Sequence, residues 1–276
     1  MKKAVHLLAI QLVGIAVSLG TTLVDGPLPA CQSNVSLAVY RALGPDGCSF
    51  AKVTVNNEQF DVTIRDVNFR LFRSSVQGVA LPARVFDTDI KVTAPTKLGD
   101  ALGFFSNKFE VAAGQRLTFQ FDYVIDPPPS VIPGYETDIF TETPVFPGYA
   151  LYKTELCAGG IFGGSLGCVD LLTDEESPVI TLESFYYTKS TKDIKTKSSI
   201  TFDKPTYLVS VRNTLILDGG PKEGAIDPDT GKNVVGKSQI SGVKNTVPSA
   251  VPEPMGLMLA GSGLAVLAFF RRQVVR

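Results

Sequence analysis

Tryptophan is absent from the 276 residues, and the one histidine, His6, falls in the first apolar stretch. Histidine is the usual acid–base group near neutral pH and the commonest transition-metal ligand. With it outside the folding body, Ser-His-Asp hydrolysis, Cys-His nucleophiles and His-based zinc sites are excluded there. Carboxylate-pair chemistry and calcium binding stay open. A surplus of positive charge is missing too. Net charge is −1, and five cations (Lys2, Lys3, Arg271, Arg272 and Arg276) sit at the termini, so the remainder stands near −6. An acidic body with no basic stripe argues against nucleic acid and anionic lipid as partners. Long helical periodicity is also lacking, and no βαβ alternation runs through the chain.

What is present begins at the two ends. Lys2 and Lys3 precede an almost uninterrupted apolar stretch from Ala4 to Leu19, with small residues at Ser18 and Gly20. That is the layout of a secretory signal, so residues 1–25 are set apart from the fold. Leu28-Pro29-Ala30-Cys31 resembles a lipoprotein cleavage box, but Asp25, Gly26 and Pro27 separate it from the apolar stretch, which favours a disulfide role for Cys31. At the other end, Val251-Pro252-Glu253-Pro254 is followed by an apolar run from Met255 to Phe270 and then by Arg271 and Arg272. A helix over that run spans about 24 Å at 1.5 Å per residue. This is short of a hydrocarbon core of about 30 Å. Gly256, Gly261, Ser262 and Gly263 weaken it further. The arginine pair holds its end in the cytoplasm and places the body outside.

Those three C-terminal parts, in that order, resemble a PEP-CTERM sorting signal over residues 251–276. The resemblance implies Sec-dependent export, a transient inner-membrane tether, and processing by an exosortase near Val251, Pro252, Glu253 and Pro254. It also implies a final place at the cell surface or outside the cell, in an exopolysaccharide or biofilm setting.

Roughly 200 residues remain to fold, which suits one sandwich domain. Asn34 to Leu43 is expected to form a short amphipathic helix capped by Asn34 and stopped by Gly44-Pro45. From Phe50 the pattern turns to strands. Phe60, Val62 and Ile64 alternate with Asp61, Thr63 and Arg65, and Leu117, Phe119, Phe121 and Tyr123 alternate with Thr118, Gln120 and Asp122. Further strands are expected over 51–55, 67–73, 89–93, 103–110, 148–155, 179–186, 198–203 and 206–217, divided by turn-forming residues. The expected fold is all-β: a single antiparallel, jelly-roll-like sandwich over 26–225. Asp126 to Gly134 would be a long loop at one end. Residues 219–250 would give a peripheral hairpin, with a flexible stalk over 226–250 leading to the 251–276 anchor.

Four cysteines in an exported chain point to disulfides. Three pairings exist, and the local pairs Cys31–Cys48 and Cys157–Cys168 are chosen. The second encloses a glycine-filled loop able to meet disulfide geometry. Gly47-Cys48-Ser49-Phe50 and the Cys157–Cys168 loop loosely resemble a β-rich group of PEP-CTERM surface proteins, a resemblance that implies no activity.

Chemistry within the body is read conservatively. Asp227 to Asn233 reads as an ordinary turn, with Asp227 and Asp229 kept as calcium candidates because alternating oxygens suit a hard cation. Asp170, Asp174, Glu175 and Glu176 read as a solvated acidic face rather than a hydrolytic pair. Tyr135, Tyr149, Tyr152, Tyr186 and Tyr187 are candidates for a sugar-binding surface, against the commoner role of packing. No cofactor and no catalytic residue are expected. The function expected is structural or adhesive, at the surface or in the matrix, with exopolysaccharide as the partner; a carbohydrate-binding module is the alternative.

Overall fold

The computed structural model describes residues 27–248, apart from 56, 127–131, 142–143, 164, 166 and 188–191. The signal segment, the sorting motif at Val251–Pro254, and Arg271 and Arg272 lie outside the described residues. Among those described, no helix is long and apolar enough to cross a membrane.

The elements follow in chain order. First come β1 (Val35–Ser36), helix α1 (Leu37–Ala42), β2 (Cys48–Val55), β3 (Glu58–Ser75), β4 (Lys91–Thr93), β5 (Ala101–Phe105) and β6 (Glu110–Ala112). Next are β7 (Gln115–Asp126), β8 (Ile132–Thr141), β9 (Tyr149–Ala158), β10 (Gly160–Ile161), β11 (Gly167–Asp170) and β12 (Glu176–Pro178). The last are β13 (Ile180–Tyr186), β14 (Ile194–Lys195), β15 (Lys197–Thr206), β16 (Val209–Asp218), β17 (Ala225–Ile226), β18 (Asn233–Val234) and β19 (Lys237–Thr246). One sheet runs β14-β13-β9-β16-β7-β3-β2, and the other runs β1-β4-β5-β19-β8-β15 with β6 also on β19. Pairings within both sheets are antiparallel.

The period-2 residues explain how the sheets stack. On β7 the apolar set Leu117, Phe119, Phe121 and Tyr123 is buried, while Thr118, Gln120 and Asp122 are only half-buried on the opposite face. From the second sheet Phe104 meets Phe121 with ring centroids 4.4 Å apart, and Phe109 meets Phe119 edge-on at 4.7 Å. Val211, Leu215, Ile139 and Val243 complete this interior. The hydrophobic effect thus closes an antiparallel β-sandwich.

Several expectations need correction. Asn34 does not cap α1; it sits at φ 62, a left-handed turn that asparagine tolerates, and Ser36 stands at the N-cap instead. The 60–64 and 67–73 strands are one strand, β3, folded over a bulge at Asp66 (φ 56) between Arg65 and Asn68. The 103–110 strand is two, β5 and β6. The largest correction concerns the stalk. The expected hairpin exists as β17–β18, but residues 237–246 form β19, which lies between β5 and β8 inside the second sheet. The sandwich therefore extends through Thr246, past the expected boundary at 225. β19 turns Ser238, Ile240, Val243 and Asn245 inward, and two of those four are polar, which disguised it as surface chain.

Candidate functional site

Most of the tyrosines weighed as a sugar-binding surface take the commoner packing role. Tyr135 and Tyr152 are fully buried, and Tyr149 is buried as well; only Tyr186 and Tyr187 are half-exposed. Tyr135 on β8 and Tyr123 on β7 join the two sheets through their hydroxyls, 2.5 Å apart. The Tyr152 hydroxyl donates to Asn213 Oδ1 at 2.7 Å and accepts from Asn245 Nδ2 at 2.7 Å, while Thr154 Oγ1 donates to the same Asn213 oxygen at 2.9 Å. Burial pushes Tyr123, Tyr135 and Tyr152 well above the ordinary tyrosine range, because a phenolate there would lose its water. The tyrosine surface is withdrawn: these rings and hydroxyls form a closed polar seam between the sheets.

Both local disulfides are present, Cys31–Cys48 and Cys157–Cys168, and no cysteine is free. Cys31–Cys48 ties the entering chain to the start of β2. Cys157–Cys168 ties the end of β9 to the small sheet β10-β11-β12.

The acidic cluster is taken up locally. Asp170 Oδ1 accepts from the backbone N–H groups of Leu172 and Thr173, and Glu176 accepts from the Ser165 backbone N–H at 2.7 Å and its hydroxyl. At the calcium candidates, the Lys192 ammonium lies 2.9 Å from both Asp227 oxygens and 2.7 Å from Asp229. Hydrogen bonding to Lys192 holds the Asp227 carboxyl below its usual range. Among the described residues no group of three or more His, Cys, Asp or Glu side chains could hold a metal. Asp227 Oδ1 also accepts from the Asp229 backbone N–H at 2.8 Å, so the segment is an Asx turn.

Sequence reasoning missed one acid. On the outer face of the first sheet, Arg212 stands in register between Asp122 and Glu155. Its guanidinium lies 4.3 Å from the Phe162 ring centroid and 3.7 Å from Asp122. Burial pushes the Asp122 carboxyl up, the main opposing pull being the Arg212 charge.

Clefts open elsewhere among the described residues. One of about 350 Å³ lies between α1 and β3, where Arg41 pairs with Asp87 and Arg84 stacks on Phe86 at 4.7 Å. Another, about 450 Å³, opens beside β5 and β19. A shallow third of about 200 Å³ lies at the Gly114 and Gly220 turns.

No family model matches this chain. No curated protein matches it either. Among solved structures it is similar to TmCBM61 in complex with beta-1,4-galactotriose, at a TM-score of 0.25 and 10% identity over 65% of this chain and 88% of that one. A likeness that slight carries no argument about fold or ligand.

Proposed function

We propose that this is an exported protein, sorted through Val251–Pro254 and the terminal arginines, and displayed at the cell surface or in the extracellular matrix. Its role there is structural or adhesive rather than enzymatic. The observation that supports this reading best is the pairing of all four cysteines in two local disulfides, which suit an oxidising compartment. They agree with the signal layout at one end and the Pro-Glu-Pro, apolar run and arginine order at the other. A jelly-roll-like winding accords with a chain that passes between the sheets from β7 to β8 to β9. The acids weighed for chemistry in the sequence accord with a structural role, since Asp170, Glu176, Asp227 and Asp229 hold local structure.

The intact mass of the protein recovered from the cell surface or medium tests this, measured before and after reduction. A chain ending near Pro254 that gains four hydrogens on reduction is the expected result. A chain that keeps residues 255–276 overturns the sorting; a mass unchanged by reduction overturns the oxidised, exported state.

A further inference from the structure

The outer face of the second sheet has an unusual composition where β5, β19 and β8 meet. Phe105, Gly242 and Phe140 stand in one row across these strands, and Gly103 lies two residues back from Phe105 on the same face. A Cβ on Gly103 would lie 2.4 Å from Phe105 Cε2, and a Cβ on Gly242 would lie 2.4 Å from Phe105 Cδ1. One edge of the Phe105 ring therefore rests over Gly103 and the other over Gly242. The ring lies down on the sheet with one face against backbone, which only residues without a Cβ permit. Its other face is left toward solvent, and the ring is only half-buried. Phe140, 6.1 Å away, is different: the Lys244 ammonium sits 3.6 Å from its centroid and occupies its face. Phe105 is the open platform of the two.

That platform is one wall of the cleft of about 450 Å³, within the range of small-ligand sites. Beside the ring stand Ser106, Asn107, Gln239 and Ser241, all neutral groups able to donate and accept. Two charged residues line it: Asp89, which pairs with Lys108 at 2.7 Å, and Lys91, which adds one cation. With Lys91 as its one lining cation and no arginine fork, the cleft offers a phosphate no bidentate contact.

We infer that the Phe105 platform and its cleft bind a neutral pyranose unit of a polysaccharide, the C–H face of the sugar stacked on the ring and its hydroxyls met by Asn107 and the two serines. A pyranose combines an apolar face with a rim of hydroxyls, and this wall pairs a flat aromatic with a rim of amides and hydroxyls. The inference rests on the matrix-facing role proposed above and names the ligand class of that role.

The test uses the full chain with both disulfides intact, probed with an array of neutral gluco-, galacto-, manno- and xylo-oligosaccharides and with alginate as an anionic control. The wild type is expected to bind at least one neutral series. Phe105→Ala should weaken that binding about tenfold or more, while Phe105→Trp keeps it. Gly103→Ala is the sharper variant. The three atoms nearest its new Cβ all belong to the Phe105 ring, so the ring rather than the backbone should give way, the platform should tilt, and binding should fall as in Phe105→Ala. Unfolding midpoints are recorded for every variant, and if Phe105→Ala does not fold, Asn107→Ala in the exposed turn reads the same site. Absence of any neutral glycan bound, binding to alginate alone, or full binding by folded Gly103→Ala each overturns the site. Processing near Pro254 without glycan binding removes this inference and leaves the sorting reading standing; glycan binding on an unprocessed chain does the reverse.

Discussion

The seam between the sheets and the rim of the sandwich are both polar, yet they stand in opposite relation to water. In the seam, Tyr152, Thr154, Asn213 and Asn245 are nearly or fully buried, and each hydroxyl or amide is met by another. On the rim, Lys197–Glu136 at 2.8 Å, Lys153–Glu155 at 2.6 Å and Lys237–Glu110 at 3.2 Å are partly exposed. Exposed pairs of that kind contribute at most about 1 kcal/mol, because water competes for both partners and holding long side chains costs entropy. A buried donor left without its acceptor costs about 1–3 kcal/mol. The difference teaches that a short hydrogen-bond distance says little about stability until the access of water is known.

Alkali should break the comparison most strongly. Tyr123, Tyr135 and Tyr152 are raised in the folded chain by burial, so the unfolded chain loses their protons first. Their stabilising contribution is complete below the ordinary tyrosine range and is lost as pH climbs through it toward the folded values. Stability should fall above about pH 10, each tyrosine adding up to about 1.4 kcal/mol per pH unit. Denaturant unfolding followed at rising pH checks this. Tyr135→Phe should reduce the slope, and a wild-type slope indifferent to pH would show that water reaches the seam.

Next in size is Asn213→Leu, which keeps the branched heavy-atom shape and deletes one acceptor shared by two hydroxyls. Thr154 would then point its donor into the apolar interior, and Tyr152 would keep only Asn245 Oδ1, 3.0 Å away, as an acceptor. The expected loss is about 2–4 kcal/mol. A urea midpoint measured beside that of Lys197→Ala checks it, the rim variant changing by less than about 1 kcal/mol. Equal losses would erase the distinction between seam and rim.

The same distinction explains which parts of the fold were legible in the sequence. β7 was plain because Leu117, Phe119, Phe121 and Tyr123 alternate with polar neighbours, and the disulfides were plain because each pair is close in the chain. β8 and β19 were not. Thr137, Ser238 and Asn245 point inward, and an inward polar residue is indistinguishable by pattern from an outward one; only its partner across the sheets reveals it. The packing role of the tyrosines was legible, but their hydroxyl partners were not, since Asn213 and Tyr123 meet them only across strands and sheets. The Phe105 platform was out of reach altogether. Leu102 to Phe105 reads as an apolar run, and Gly242 comes opposite Phe105 only through the pairing of β5 with β19.

The smallest effect is expected at Lys192, and it separates an occupied carboxylate pair from an open cation site. Asp227 is buried beneath its turn, whereas Asp229 is 69% exposed at the side chain and lets water reach the ammonium. Hydrogen bonds to Lys192 lower the Asp227 carboxyl, so that contribution is present above the ordinary carboxylate range and fades as pH falls through it. Lys192→Met should move the unfolding midpoint less than Asn213→Leu does, because the turn keeps the bonds from Asp229 N and Thr230 N to Asp227. Calcium takes six to eight oxygens, and here an ammonium already lies between the two carboxylates. Millimolar calcium should therefore leave the wild-type midpoint where it is. A calcium-dependent rise in the wild type would mean that the cation displaces Lys192, and the segment would then be a metal loop held closed by its own lysine.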